Sequence, residues 1–229
     1  MSTKITGVSS MATRVILGEL SRAYQETSGA EVDIKAMGGV DAAKLVRAGE
    51  RADVVVLASG VMAQLEAEGH LLAGSVRGVT RSGMAVVVPA GRPHPDIATE
   101  AAVRQAVSAA GKVGYSTGPS GDHLLQLCTK WGLLPGGEDR LLKAPPGVSV
   151  GSLVAQGQAD LGFQQLSEFL GVDGIEIVGP LPPEIQATTV FAAGVSATSV
   201  QPDTAADLIA FLASPGTAEA KRRNGMDPA

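Results

Sequence analysis

The sequence predicts an α/β protein of two lobes, each lobe a mostly parallel sheet flanked by helices. Strand-like and helix-like periods alternate along the chain, which is the pattern of repeated β-α units. Asp53–Ala58 is a nearly continuous apolar run, as suits a strand covered on both faces of its sheet. The alternation breaks between Gly69 and Gly78 and then restarts, and a proline-rich crossing follows at Pro180, Pro182 and Pro183. Two β-α groups are therefore expected.

Lys4–Val8 reads as the first strand, and Met11–Tyr24 as a helix with Val15, Ile16, Leu20, Ala23 and Tyr24 at helical intervals. Glu31–Met37 alternates with Val32, Ile34 and Ala36 on one face, and Asp41–Ala48 is a short helix. The strand Asp53–Ala58 feeds the helix Val61–Glu68. After the break, Val79–Val88 is a strand, Thr99–Ala110 a helix, Lys112–Tyr115 a strand and Ser120–Leu133 a helix. Val148–Gln156 is a further helix, Asp160–Gln164, Ile175–Val178 and Thr188–Ala193 are strands, and Asp203–Ala213 and Thr217–Arg223 close the chain as helices. Asp203, following Pro202, is expected to cap the first of these last two.

Of 229 residues 45% are hydrophobic and 18% charged, which is ample material for a core and too little charge for disorder. The net charge is −5, and Lys221-Arg222-Arg223 is the one basic run, so a polyanion-binding surface is disfavoured. Aromatic residues make up 3%, too few for the stacking platforms that single-stranded nucleic acid needs. No apolar run approaches the roughly 18 residues of a membrane span. Met1-Ser2-Thr3-Lys4-Ile5 leads straight into a strand, so a cytoplasmic location is expected, or a periplasmic one if a leader has been removed. The single Cys128 falls on the apolar face Leu124, Leu125, Leu127, Cys128, Trp131 and reads as a buried structural thiol.

In open α/β sheets, ligands lie outside the carboxyl ends of the strands, so the strand-to-helix turns are where function is sought. Four of these turns are rich in small or hydroxylic residues: Ser9-Ser10, Ala58-Ser59-Gly60, Ser116-Thr117-Gly118-Pro119-Ser120-Gly121 and Gly147-Val148-Ser149-Val150. A helix N-terminus offers unpaired N–H groups and a partial charge of roughly +0.5, so each turn is either an anion seat or an ordinary serine cap. The run Ser116–Gly121 has more glycine and hydroxyl than a cap requires, yet matches neither a Walker loop nor a Gly-x-Gly-x-x-Gly fingerprint. Asp122 and His123 open the helix after it, where they either face a ligand or lie on the surface. Gln164-Gln165 ends the strand Leu161-Gly162-Phe163, where amides can donate to a carboxylate or simply form a turn. His70, His94 and His123 lie far apart and form no metal-ligand spacing, so no metal is expected; no nucleophile elbow exists, so hydrolase chemistry is not indicated, and with the nucleotide patterns missing no organic cofactor is expected.

Several segments carry a resemblance to type II periplasmic binding proteins of the molybdate-binding kind. They are the Ser9-Ser10 loop, Ala52-Asp53-Val54-Val55-Val56-Leu57-Ala58-Ser59, the Tyr115–Gly121 loop, and Val154-Ala155-Gln156-Gly157-Gln158-Ala159-Asp160-Leu161-Gly162-Phe163. The resemblance implies a ligand cleft between two lobes, residues 1–80 with 188–229 and residues 81–187. It places the family's oxyanion contacts on Ser10 or its neighbour Ser9, on Ser59, on Ser116, Thr117, Gly118 and Ser120, and on Val150; Gly39, Gly121, Gln164 and Gln165 are further candidate ligand-binding residues. Gly38-Gly39-Val40 stands where the family commonly supplies a serine, and Gln165 where molybdate binders usually carry a tyrosine; both departures argue against molybdate or tungstate. Leu161–Glu168 followed by Gly174–Gly179 is similar to a branch of the superfamily that includes aconitate isomerase.

The resemblance thus implies a receptor for a small oxyanion or polycarboxylate, partnered by a transporter permease only if exported. The alternative is an isomerase of a small polycarboxylate acting by proton transfer, with Asp122, His123 or Glu168 as the candidate base. If the glycine-rich loop seats the anion through its backbone, Gly121→Val should leave the core intact and lower affinity or turnover at least about tenfold. Calorimetry on the folded variant checks this.

Overall fold

The computed structural model describes residues 4–134, 138–145 and 147–229. In chain order the elements are β1 (Lys4–Ser10), α1 (Arg14–Ser28), β2 (Glu31–Met37), α2 (Gly39–Arg47), β3 (Val54–Ala58), α3 (Ser59–Ala67), β4 (Arg77–Pro89), α4 (Glu100–Ala109) and β5 (Val113–Tyr115). They continue with α5 (Pro119–Lys130), β6 (Leu141–Lys143), α6 (Val150–Ala155), β7 (Leu161–Gln165), β8 (Ile175–Pro180), β9 (Thr188–Val195), α7 (Pro202–Ala213), α8 (Ala218–Arg223) and β10 (Asp227–Pro228). The chain divides into two compact units, one of residues up to Ser82 with Thr189–Ala229, the other Gly83–Thr188.

In the first unit β1 lies between β2 and β3, parallel to both, and β9 runs antiparallel on the far side of β3. Alternation sorts the side chains onto two faces. Ile5, Val54, Val56, Ala193 and Val195 pack with Ile16, Leu17 and Leu20 of α1 and Leu208 and Leu212 of α7. Val8, Val55, Leu57 and Ala192 pack with Ala42 and Val46 of α2 and Met62 and Leu65 of α3. With helices on both faces, every residue of Val54–Leu57 is buried, which is why β3 reads as an unbroken apolar run.

In the second unit β7, β5 and β6 are parallel neighbours, and β4 pairs antiparallel with both β7 and β8. Val86, Val88, Val113 and Phe163 face Val103 and Val107 of α4 and Leu124 and Cys128 of α5. Ala85 and Val87 face Val150, Leu153 and Val154 of α6. Cys128 is buried, and that burial pushes its thiol up, as a structural residue requires.

Two local expectations change, and a third feature accords with the disfavoured polyanion surface. Val15, placed among the apolar positions of α1, is 48% exposed, and Leu17 takes its place in the core. Asp203 does not cap α7: Gln201 is the N-cap, Pro202 is the first helical residue and Asp203 lies in the first turn. The run Lys221-Arg222-Arg223 is no basic stripe, because Lys221 is 1% exposed and its burial lowers the ammonium's pKa. Arg223 is engaged by Glu19 and Glu219.

The first unit is assembled from two distant stretches of chain, and Asp53 joins them. Its carboxylate accepts from the Thr6 N–H at 2.9 Å, the Thr6 hydroxyl at 3.1 Å, the Ser199 hydroxyl at 2.7 Å and the Gln201 amide at 3.0 Å. Its backbone accepts from Ser196 N–H at 2.9 Å and donates to the Thr6 carbonyl at 2.8 Å. Burial alone would raise this carboxyl, but the hydrogen bonds outweigh it and hold the group below its ordinary range. The stabilisation is therefore present above the ordinary value and is lost as pH falls through the lowered one. Asp53→Ala should cost about 2–4 kcal/mol by stranding buried donors, read as a lower denaturant midpoint at pH 7. The stability gap between wild type and Asp53→Asn should close as pH falls through the lowered value, because a protonated Asp53 carries no more charge than the amide, and denaturant midpoints measured across acid pH check this.

Candidate functional site

In the first unit the three parallel strands β2, β1 and β3 end side by side, with Ser10 opposite Met37 and Ser9 opposite Val56. The chain after each enters a helix: a 3-10 turn at Met11–Thr13 leading into α1, then α2 at Gly39 and α3 at Ser59. Their unpaired N–H groups and positive dipole ends therefore gather on one edge of one sheet. Ser10 has the extended backbone of an N-cap, yet its side chain makes no capping bond. Ser9 is 0% and Ser10 7% exposed, and neither hydroxyl meets a hydrogen-bond partner among the described residues. A buried hydroxyl without a partner costs stability, so its retention points to a role other than packing. A Cβ at Gly39 would sit 3.9 Å from that of Ser10, so α2 begins directly beside the serine. Ser59 is exposed as the first residue of α3, and Ala58 holds the cap position.

In the second unit the glycine-rich loop links β5 to α5. Gly118 precedes the helix at φ 93°, a conformation that L side chains rarely adopt, and Pro119 opens the first turn. The Ser116 and Ser120 hydroxyls lie 3.0 Å apart, with Ser120 buried and Thr117 exposed. Gly121 has a different cause from the one its sequence suggests. A Cβ there would overlap the Ser116 carbonyl oxygen and come within 3.2 Å of the Tyr115 ring. Gly121→Val therefore disrupts the loop itself, and the variant reports on folding before it reports on a ligand.

Asp122 lies exposed in the first turn of α5. His123 is half-buried, and its Nε2 lies 2.7 Å from the Ile185 carbonyl oxygen. A carbonyl only accepts, so Nε2 carries the proton and this nitrogen is committed to holding α5 against the Pro183–Ile185 turn.

At the end of β7 both Gln164 and Gln165 are 3% exposed. Gln164 Oε1 accepts from the Val150 N–H at 3.1 Å, so the protein itself occupies that donor of α6. The amide's orientation is thereby set, and Nε2 donates to Glu168 Oε2 at 2.6 Å. Gln165 lies on the alternate face of the strand, opposite Met84 of β4. Glu168 keeps part of its surface, yet its carboxyl lies deep among protein atoms, and burial pushes it up to about 7 against the pull of the Gln164 amide. At α6, Ser149 caps Ser152 N–H at 3.0 Å, and the two hydroxyls lie 2.8 Å apart. Ser152 was not singled out in the sequence, although the Ser-x-x-Ser spacing of a reciprocal cap was visible there.

The structure thus brings Ser9, Ser10, Gly39 and Ser59 to one strand-end edge of the first unit. It brings Ser116–Gly121, Val150, Gln164 and Glu168 to the strand and helix ends of the second. Among the described residues no helix is long and apolar enough to cross a membrane.

The chain is similar over its whole length to known proteins. A Pseudomonas aconitate isomerase is 34% identical over 232 aligned residues, which cover 99% of this chain and 88% of that protein. The periplasmic molybdate-binding protein of Azotobacter vinelandii superposes with a TM-score of 0.81 at 19% identity, covering 97% of this chain and 98% of that one. The tungstate ABC transporter structure from Geobacter sulfurreducens gives 0.73 at 18% identity, covering 95% and 97%. These likenesses give the two-lobed periplasmic-binding-protein fold. The family model of the bacterial extracellular solute-binding proteins matches residues 5–227. A cytoplasmic location draws no support from that family. With strands, helices and strand-end sites in this order, the chain belongs to the bacterial extracellular solute-binding protein family.

Proposed function

We propose that the protein binds a small anion, and that the anion is an organic polycarboxylate. The observation that carries this reading is the pair of buried serine hydroxyls, Ser9 and Ser10, left without partners where three helices of the first unit begin. A carboxylate accepts from both hydroxyls and helix N–H groups, and the dipole ends favour its charge. Gly39 and Gln165 stand where molybdate binders usually carry hydroxylic side chains, which favours a carbon acid over a metal oxyanion. In a receptor role the bound form would be read by a transporter permease, which requires export.

A second reading, an isomerase that shifts a proton within such a polycarboxylate, is favoured by the 34% identity to an aconitate isomerase across 99% of this chain. It needs the same carboxylate seats plus a proton carrier, and no cofactor.

Calorimetry and thermal shift with citrate, cis- and trans-aconitate, sulfate and molybdate test the binding reading. Tricarboxylates should bind and raise the melting temperature, by about 2.7 kcal/mol of added stability at one hundred times Kd. Failure of every anion to bind overturns it. Ser10→Ala should leave the ligand-free protein as stable or more stable, since it removes a buried hydroxyl without a partner, while weakening tricarboxylate affinity about fivefold or more. Equal affinity in that variant would move the seat elsewhere.

A further inference from the structure

Among the candidate bases, the geometry separates Glu168 from the others. Asp122 lies exposed in the first turn of a helix, and His123 has one ring nitrogen committed to the Ile185 carbonyl. Glu168 stands on the turn Leu166–Glu168 that follows β7, at the strand end where ligands of α/β sheets gather. Among the described residues it forms no salt bridge and accepts one hydrogen bond, from Gln164 Nε2. An ionised carboxylate can accept about four, so this one is under-satisfied when charged and readily takes a proton. Its other oxygen, Oε1, is left for a partner from outside. Gln164 is itself fixed at both ends, by Val150 N–H and by Glu168, so it sets where the carboxylate points.

We propose that Glu168 carries the proton in a 1,3-shift within an unsaturated tricarboxylate, with Gln164 as its positioning residue. The proposal rests on the isomerase reading. Glu168 as carboxylate takes a proton from the substrate methylene next to a carboxylate. The C–H electron pair becomes a new carbon–carbon double bond, and the old double bond's pair moves to the far carbon, delocalised into its carboxylate. The neutral Glu168 then returns the proton to that carbon. One C–H bond breaks and one forms, nothing is oxidised or reduced, and Glu168 is regenerated. A carboxyl that burial pushes up to about 7 holds either form near neutrality, which suits a group that must both take and give.

The test is proton NMR of cis- and trans-aconitate in D2O with the wild-type protein and with Glu168→Gln, Glu168→Asp and Gln164→Leu. Wild type should interconvert the isomers, and deuterium should appear on the methylene carbon in those turnovers in which the Glu168 proton exchanges with solvent before it is returned. Glu168→Gln should lower kcat about a hundredfold or more while calorimetry finds tricarboxylate affinity within about threefold, and Glu168→Asp should recover part of the rate. Removing the Gln164 amide takes away the group that lowers the Glu168 pKa, so the rising limb of the kcat/KM pH profile should move to higher pH in Gln164→Leu. Should Glu168→Gln fail to fold, the Glu168→Asp rate and the Gln164→Leu profile decide. Turnover and exchange retained within threefold in Glu168→Gln, or an unmoved profile in Gln164→Leu, would overturn the assignment while leaving the isomerase reading intact. A wild-type protein that binds aconitate without exchange or isomerisation overturns the isomerase reading and the assignment with it, and leaves the binding reading standing.

Discussion

The first unit depends on one buried carboxylate. Its sheet contains strands from both ends of the chain, and the amino end of β3 is where the returning segment Ser196–Gln201 must be held. Asp53 does this with side-chain and backbone bonds to Thr6, Ser196, Ser199 and Gln201, which closes a loop of well over a hundred residues around the second unit. With polar bonding concentrated at the amino ends of β1 and β3, the carboxyl ends are left to the helix N-termini. The orphan hydroxyls of Ser9 and Ser10 lie at that opposite end. One end of the sheet is closed by a satisfied network, and the other keeps unmet hydrogen-bonding capacity.

The second unit handles its strand ends differently. Ser116 with Ser120, Ser149 with Ser152, and Gln164 with Val150 satisfy each other within the protein. An anion arriving there exchanges existing hydrogen bonds for new ones, and such exchanges yield only about 0.5–1.5 kcal/mol each. Its charge must then supply most of the gain, through helix dipoles and backbone donors. The same economy explains Glu168. Gln164 spends its acceptor on α6 and has only its amide hydrogens for the carboxylate, so Glu168 is held in place without being neutralised.

Much of the fold was legible because the relevant signals are periodic and local. Glu31–Met37 reads as a strand in the sequence and is one, and the unbroken run through Val54–Ala58 follows from helices on both faces. The elements that escaped notice, β6 at Leu141–Lys143 and β10 at Asp227–Pro228, are too short to show a period. Val15 misled for a related reason: hydropathy ranks a residue by type, while burial follows from which side of a helix meets the sheet.

The candidate site divides along the same line. That Ser9-Ser10, Ser59 and Ser116–Gly121 stand where a strand gives way to a helix was determined by the sequence alone, since strand and helix periods meet there, whereas the strand before Val150 showed no period. Which of their groups stand free was decided by tertiary structure. His123 is committed to Ile185 across 62 residues and Val150 N–H to Gln164 across 14. A hydrogen bond forms wherever folding brings donor and acceptor together, and a local period carries no record of residues so far along the chain.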